Sequence, residues 1–250
     1  MLKKSANSDG KPATTPVSPP VGPTVVWVLA AGPMPNALQA AAMLPKADAV
    51  IAADGGLNLA SALGIRPDLI VGDLDSADPV LLQRFIDQGV ETRRYSHNTK
   101  LETDTELALL AALKLQAELQ SGTARIYILG ALGGRLDHGL ANLLLLTDPE
   151  VAQHDVRIVD GYQEAYLAQP GVANLIAGKP GDTVSLLPLS AEVTEVYTVG
   201  LEYPLSGDTL YMGRGRGVSN VLVTQSASVR FATGLLLVVV IHVSQNPSEQ

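Results

Sequence analysis

The chain has 250 residues, with 25 Asp+Glu against 17 Lys+Arg and no cysteine. The missing cysteines exclude a disulfide framework, an iron–sulfur cluster, cysteine-ligated zinc and a thiol nucleophile. A net charge of −8 with only 4% aromatic residues argues against a nucleic-acid backbone as the main partner, because phosphate tracking needs a basic stripe and single strands need stacking platforms.

Hydrophobic residues make up 46% of the chain, enough to fill one or two cores, and the length fits two domains. Residues 1–24 hold five prolines and few apolar side chains, which predicts a disordered tail. No long apolar run follows its two lysines, so no secretory signal is expected. The run 235–241 is too short to cross a bilayer, which points to a cytoplasmic protein without a membrane partner.

From residue 25 the pattern alternates. Continuous apolar runs predict buried strands at 25–31, 49–53, 69–71 and 124–129, with a short strand at 92–95. Helices are predicted at 36–44 with Asn36 as cap, at 57–63, at 79–88 with Pro79 in its first turn, at 103–120 and at 136–146. Thr103 and Glu106 have the spacing of a capping box. A strand at 156–159 is expected to close the sheet. The alternation predicts an α/β domain over 25–160, a mostly parallel doubly wound sheet with helices on both faces. After Gly161 the segments shorten and become rich in Val, Thr and Tyr. Strands are predicted at 183–187, 195–199, 209–212, 221–223, 228–231 and 235–243, giving an all-β domain over 161–245, a sandwich or small barrel.

Ligands of open α/β sheets bind beyond the carboxyl ends of the strands. Asp54, Asp73 and Asp75 fall at predicted strand ends, Asp104 at a helix start, and Arg135, Asp137 and His138 follow a strand through a glycine-rich turn. Asp73 and Asp75 repel each other two residues apart unless a cation lies between them, and hard Mg²⁺ suits carboxylates plus phosphate oxygens. Gly55, Gly56, Gly133 and Gly134 allow close approach of backbone to a ligand, and Lys100 and Arg135 could hold phosphate oxygens. Together these residues suggest phosphoryl transfer. Neither a Walker A motif nor a kinase signature set is present.

The motifs resemble those of thiamine pyrophosphokinases. Asp54-Gly55-Gly56-Leu57-Asn58 is similar to D-G-G-x-N, and the run RPDLIVGDLDS from Arg66 to Ser76 to P-D-x-I-x-G-D-F-D-S. KLETDTE from Lys100 to Glu106 resembles K-D-x-T-D-x-E, GALGGRLDH from Gly130 to His138 resembles G-x-x-G-G-R-x-D-H, and Gly217-Val218-Ser219-Asn220 resembles G-x-S-N. These motifs recur in the family's order over about residues 25–243.

The resemblance implies transfer of the pyrophosphoryl group of ATP to the hydroxyl of thiamine, giving thiamine diphosphate and AMP, with Mg²⁺ and a homodimer whose active sites form where subunits meet. It implies a catalytic set of Asp73, Asp75, Asp104, Arg135 and Asp137, with Asp73, Asp75 and Asp104 on the metal. Asp54, Asn58, Lys100 and Thr103 would face ATP, and Ser219 and Asn220 would face thiamine. Three positions depart from the pattern: Leu101 for the usual Asp, Leu74 for the usual Phe, and Val221 where bacterial members often carry Glu. Trp27, the only tryptophan, lies in the first strand and offers no indole to thiamine from the β domain. A pyrophosphokinase acting on a pterin alcohol and a non-catalytic binding regulator stand as the alternatives.

Overall fold

The structure, a computed structural model, describes residues 24–96, 101–118 and 124–243. The tail reading of residues 1–23 and the position of Lys100 lie outside the described residues. Thr24, expected in the tail, is instead buried at the start of the first strand.

The α/β half runs β1 (Thr24–Leu29), α1 (Ala37–Met43), β2 (Ala49–Ala53), α2 (Gly56–Ala62), β3 (Leu69–Gly72), α3 (Pro79–Asp87), β4 (Glu91–Arg94), α4 (Asp104–Glu118), β5 (Ala124–Leu129), α5 (Leu136–Leu145) and β6 (Asp155–Asp160). Its strands are parallel in the order β4-β3-β2-β1-β5-β6. Alternate residues of each strand feed opposite faces, as strand geometry requires. Val26, Val28, Ile51, Ile126 and Ile128 pack with Leu107, Ala108 and Leu109 of α4. Trp27, Leu29, Ala52 and Ile70 pack with Ala37 and Ala40 of α1, Leu57 and Ala60 of α2, and Phe85 of α3. Both faces are therefore covered, which is why these strands read as continuous apolar runs.

The helix ends show local sequence control. Thr103 Oγ1 accepts from Glu106 N–H at 3.2 Å, and the Glu106 carboxylate accepts from Thr103 N–H at 3.4 Å, so the capping box forms. Asp78 caps α3 by accepting from Val80 and Leu81 N–H. Asn36 does not cap α1. Its backbone sits at φ −106° and ψ 36° rather than in the extended conformation of a capping residue, and its side chain makes no cap bond.

β6 does not close the sheet as the sequence suggested. It turns through Gly161 and Tyr162 into β7 (Gln163–Ala168), which runs antiparallel to it. The chain continues through β8 (Asn174–Ala177), β9 (Thr183–Pro188), β10 (Glu192–Val199), β11 (Ser206–Tyr211), β12 (Asn220–Val221), β13 (Ser226–Arg230) and β14 (Leu236–Ile241). Strands β14, β9 and β12 extend the same sheet beyond β7, giving a ten-stranded order β12-β9-β14-β7-β6-β5-β1-β2-β3-β4. A second sheet, β11-β10-β13-β8, packs on this extension over a core that includes Tyr166, Ile176, Leu186, Val196, Val229, Phe231 and Val238. The C-terminal half is thus a sandwich, and one of its two sheets is continuous with the α/β sheet.

A charged brace marks the junction. Arg157 of β6 pairs with Asp155 at 2.7 Å and with Glu164 of β7 at 2.6 Å, and stacks 4.3 Å over the Tyr166 ring. Arg125 of β5 shares Asp155 at 2.5 Å. Burial opposes the Arg157 charge, but the two carboxylates hold its pKa above the usual arginine range.

Gly56 sets how closely α2 approaches the sheet. A Cβ there would lie 2.0 Å from the Leu29 carbonyl oxygen, a backbone atom that no rotamer change can move. Gly56→Ala should therefore destabilise the protein by at least about 1–3 kcal/mol, lowering Tm by roughly 2–12 °C in a chain of this size. An unchanged thermal denaturation curve would show that α2 can lift off β1 without loss.

Candidate functional site

The chain leaves β1 toward β2 and leaves the neighbouring β5 toward β6, on opposite sides, so a crevice opens beyond the carboxyl ends of these two strands. The loops after β1, β2, β3 and β5 meet there. Gly32 N–H donates to the Gly130 carbonyl at 2.8 Å, and Asn142 holds the following turn by donating to the Ala131 carbonyl at 2.7 Å. A cleft of about 250 Å³ lies between these loops, bordered by Gly32, Pro33, Gly133, Gly134, Arg135 and His138. A larger cavity of about 690 Å³ lies at the opposite end of the strands. It is bordered by Arg125, Asp155, Arg157 and Tyr166, whose charges the brace already pairs.

Beside the crevice, Asp54, Asp73 and Asp75 converge, with one carboxylate oxygen of each within 4.8 Å of the others. The backbone forces this arrangement. Asp54 follows β2 in a left-handed conformation, φ 44°, and its N–H donates to the Val71 carbonyl of β3 at 2.8 Å. Leu74, also left-handed at φ 66°, is buried in the core, so Asp73 and Asp75 flank an inward-pointing side chain and both stay outside. Gly72 sits at φ 143°, and a Cβ there would lie 2.9 Å from Asp104 Oδ1 and 3.1 Å from Asp54 Cβ. Only glycine leaves room for these two acids on either side of the β3 end.

The family resemblance set Asp104 with Asp73 and Asp75 on the metal and Asp54 toward ATP. The structure puts Asp54 in that convergent set, with Asp104 approaching across Gly72. Asp54 is buried, and its Oδ1 has no hydrogen-bond partner among the described residues. Burial first, then the neighbouring Asp104, pushes its carboxyl pKa up, against hydrogen bonding from Ser76. A buried, unsatisfied carboxylate facing like charges fits a divalent cation with oxygen ligands. The signal was present in the sequence, since Asp54 also ends a strand, but spacing alone favoured the nearer pair.

Other anticipated residues have different environments. Arg135 donates to Asp137 through Nε at 3.1 Å and Nη2 at 2.5 Å, and this fork holds the Asp137 carboxyl down to about 2. Asn58 is exposed in the first turn of α2, and Thr103 is exposed with its hydroxyl in the capping box. Ser219 is exposed at φ 56°. Asn220 is buried, with its amide donating to the Tyr203 carbonyl at 2.7 Å and accepting from Tyr203 N–H at 3.0 Å. It fixes the loop that presents Ser219.

Two family models match the chain: thiamin pyrophosphokinase, catalytic domain, over residues 40–159, and thiamin pyrophosphokinase, vitamin B1 binding domain, over residues 174–236. The chain belongs to the thiamine pyrophosphokinase family. A thiamine pyrophosphokinase of Bacillus subtilis is 28% identical over 176 residues, covering 70% of this chain and 79% of that protein. Thiamine pyrophosphokinase 1 of Arabidopsis thaliana is 25% identical over 219 residues, covering 74% of this chain and 75% of that protein. The crystal structure of the Bacillus subtilis thiamine pyrophosphokinase superposes with a TM-score of 0.76 at 25% identity, covering 88% of this chain and 99% of that one. The family's catalytic-domain match spans Asp54, Asp73, Asp75, Asp104, Arg135 and Asp137, and its vitamin B1 binding match spans Ser219 and Asn220.

The acidic cluster should cost stability when no cation is bound. Asn tolerates the left-handed backbone at residue 54 and carries no charge. Metal-free Asp54→Asn should therefore melt at a higher temperature than the metal-free parent, while added magnesium should raise the Tm of the parent and not of the variant. Thermal melts with EDTA and with excess magnesium test this. A variant that melts lower without metal would show that Asp54 is not under electrostatic strain.

Proposed function

We propose that this protein transfers the pyrophosphoryl group of ATP to the hydroxyl of thiamine, with Mg²⁺, yielding thiamine diphosphate and AMP. The observation that carries this reading is the convergence of Asp54, Asp73 and Asp75, with an unsatisfied buried oxygen, beside a glycine-lined crevice in the catalytic-domain match. The thiamine hydroxyl oxygen bonds to the β-phosphorus and the bond from that phosphorus to the α–β bridging oxygen breaks. The bridging oxygen leaves with AMP, and the hydroxyl proton passes to solvent. Bound Mg²⁺ would neutralise phosphate charge. Asp54, Asp73 and Asp75 would hold it, Asp104 would add negative potential from across Gly72, and Asn58, Lys100 and Thr103 would face the nucleotide. Arg135, held by Asp137, borders the cleft between the glycine turns, which would take the phosphates.

The thiamine side lies far from this cluster within one chain. Asn220 opens β12, at one edge of the ten-stranded sheet, while Asp73 follows β3, one strand from the other edge. Eight inter-strand steps of roughly 4.8 Å separate them, about 38 Å in all. A homodimer that brings Ser219 of one copy to the acidic cluster of the other completes the site.

Purified protein with ATP, magnesium and thiamine should produce AMP and thiamine diphosphate in equal amounts, followed by chromatography. Asp73→Asn should lower kcat by at least about 100-fold while still melting cooperatively as a folded protein, since it removes a charge from the phosphate and metal site. Thiamine binding without AMP formation would favour a regulator, and turnover of a hydroxymethyl pterin but not thiamine would favour the pterin-alcohol reading.

A further inference from the structure

We propose that Arg214 of one copy donates to the transferring pyrophosphoryl group bound at the acidic cluster of a second copy. The inference rests on the homodimeric reading above and assigns a catalytic residue to its partner side. Arg214 lies in the Gly-Arg-Gly-Arg-Gly run between β11 and β12, directly before the Ser219–Asn220 loop. Residues 211–216 are all exposed. The neighbouring Arg216 is held by Asp208, whereas the Arg214 guanidinium has no ion pair or hydrogen bond among the described residues.

On the α/β side, Asp54, Asp73, Asp75 and Asp104 gather negative charge, and the Arg135 fork is already occupied by Asp137. Arg94 ends β4 opposite Gly72, on the side of β3 away from β2 and Asp54. Charge that spreads over the equatorial phosphate oxygens during transfer needs a donor with a free fork, and an unpaired guanidinium supplies one.

The surfaces agree with this placement. Tyr203, Tyr211, Met212 and Val218 are exposed around the Arg214 loop. On α5, which begins directly after Arg135, Leu136, Leu140 and Leu144 are exposed at i, i+4 and i+8, a stripe on one helix face. Each half of the site thus carries its own uncovered apolar border, the sort of surface that marks an interface. A twofold pair of chains would cover both borders at once and bring Arg214 to the partner's phosphates.

The test uses full-length chains. Arg214→Ala should keep its melting curve and dimer mass and lose about 100-fold or more in kcat, as when an arginine is removed from phosphoryl transfer. Arg214→Lys should recover part of that loss, because Lys restores the charge without the fork. Co-expression of differently tagged Asp73→Asn and Arg214→Ala chains decides between copies. If Arg214 acts across the interface, the mixed dimer has one intact site, and a random mixture regains roughly a quarter of parent activity from two nearly inactive parents. An inactive mixed dimer would place Arg214 in its own chain's site and overturn the proposal. A fully active Arg214→Ala dimer would also overturn it while leaving the dimeric reading in place. A fully active monomer by sedimentation would overturn both.

Discussion

Mutual repulsion among carboxylates at one end of a parallel sheet is the constraint around which this protein is built. Asp54, Asp73 and Asp75 bring ligand oxygens within 4.8 Å, and Asp104 presses on Gly72 from the other side. Three local devices keep them there: a left-handed Asp54 bonded to β3, a buried Leu74 between two outward acids, and a Gly72 that no other residue could replace without displacing Asp104. Holding these acids together costs stability when no cation is bound. The cost is offset by the cores on both faces of the sheet, where Leu29, Ile70 and Ile128 are completely buried.

The same sheet fixes the distance between the two halves of the chain. β7 pairs with β6 over four residue pairs and with β14 over six, so the sandwich is hydrogen-bonded to the α/β half rather than hung from a linker. The Arg157 brace adds charged bonds across the same joint. Truncating a partly buried charge that serves two carboxylates would leave both uncompensated, which makes this joint costly to open. A hinge that carried Ser219 to Asp73 would have to break these ladders. Assembly of two chains needs no such break, so rigidity within the chain is the physical reason to expect shared sites.

The α/β half was legible because its signals are local. Runs of Val, Ile, Leu and Ala reveal strands buried on both faces, and Thr103 with Glu106 announces α4 three residues ahead of its apolar face. The strands that escaped notice lack such signals. β7 reads Gln-Glu-Ala-Tyr-Leu-Ala, residues that favour helices, and it is a strand because β6 and β14 claim its backbone on either side. Tertiary pairing decides such a segment, and pairing partners 68 to 78 residues apart leave no mark in a short window. The acidic residues divide in the same way. That Asp54, Asp73, Asp75 and Asp104 share an edge follows from strand ends. Which of them converge depends on the parallel register of β2 and β3 and on two positive-φ residues. Asn220 shows the reverse case, a motif residue whose amide is spent on Tyr203.

The departures from the family pattern are easier to weigh once the site is in place. Leu74 substitutes one buried apolar side chain for another and keeps the anchoring role that separates Asp73 from Asp75. Leu101 is 97% exposed, and its N–H donates to the Glu102 carboxylate, so the leucine stands in solvent ahead of α4 rather than in the converging set. An aspartate at that position would be a solvent-exposed acid, where one charge has little weight. Losing it therefore removes little from the cation site. The group that matters is the buried one, because the Asp54 oxygen is shut off from solvent screening and gains most from a bound cation.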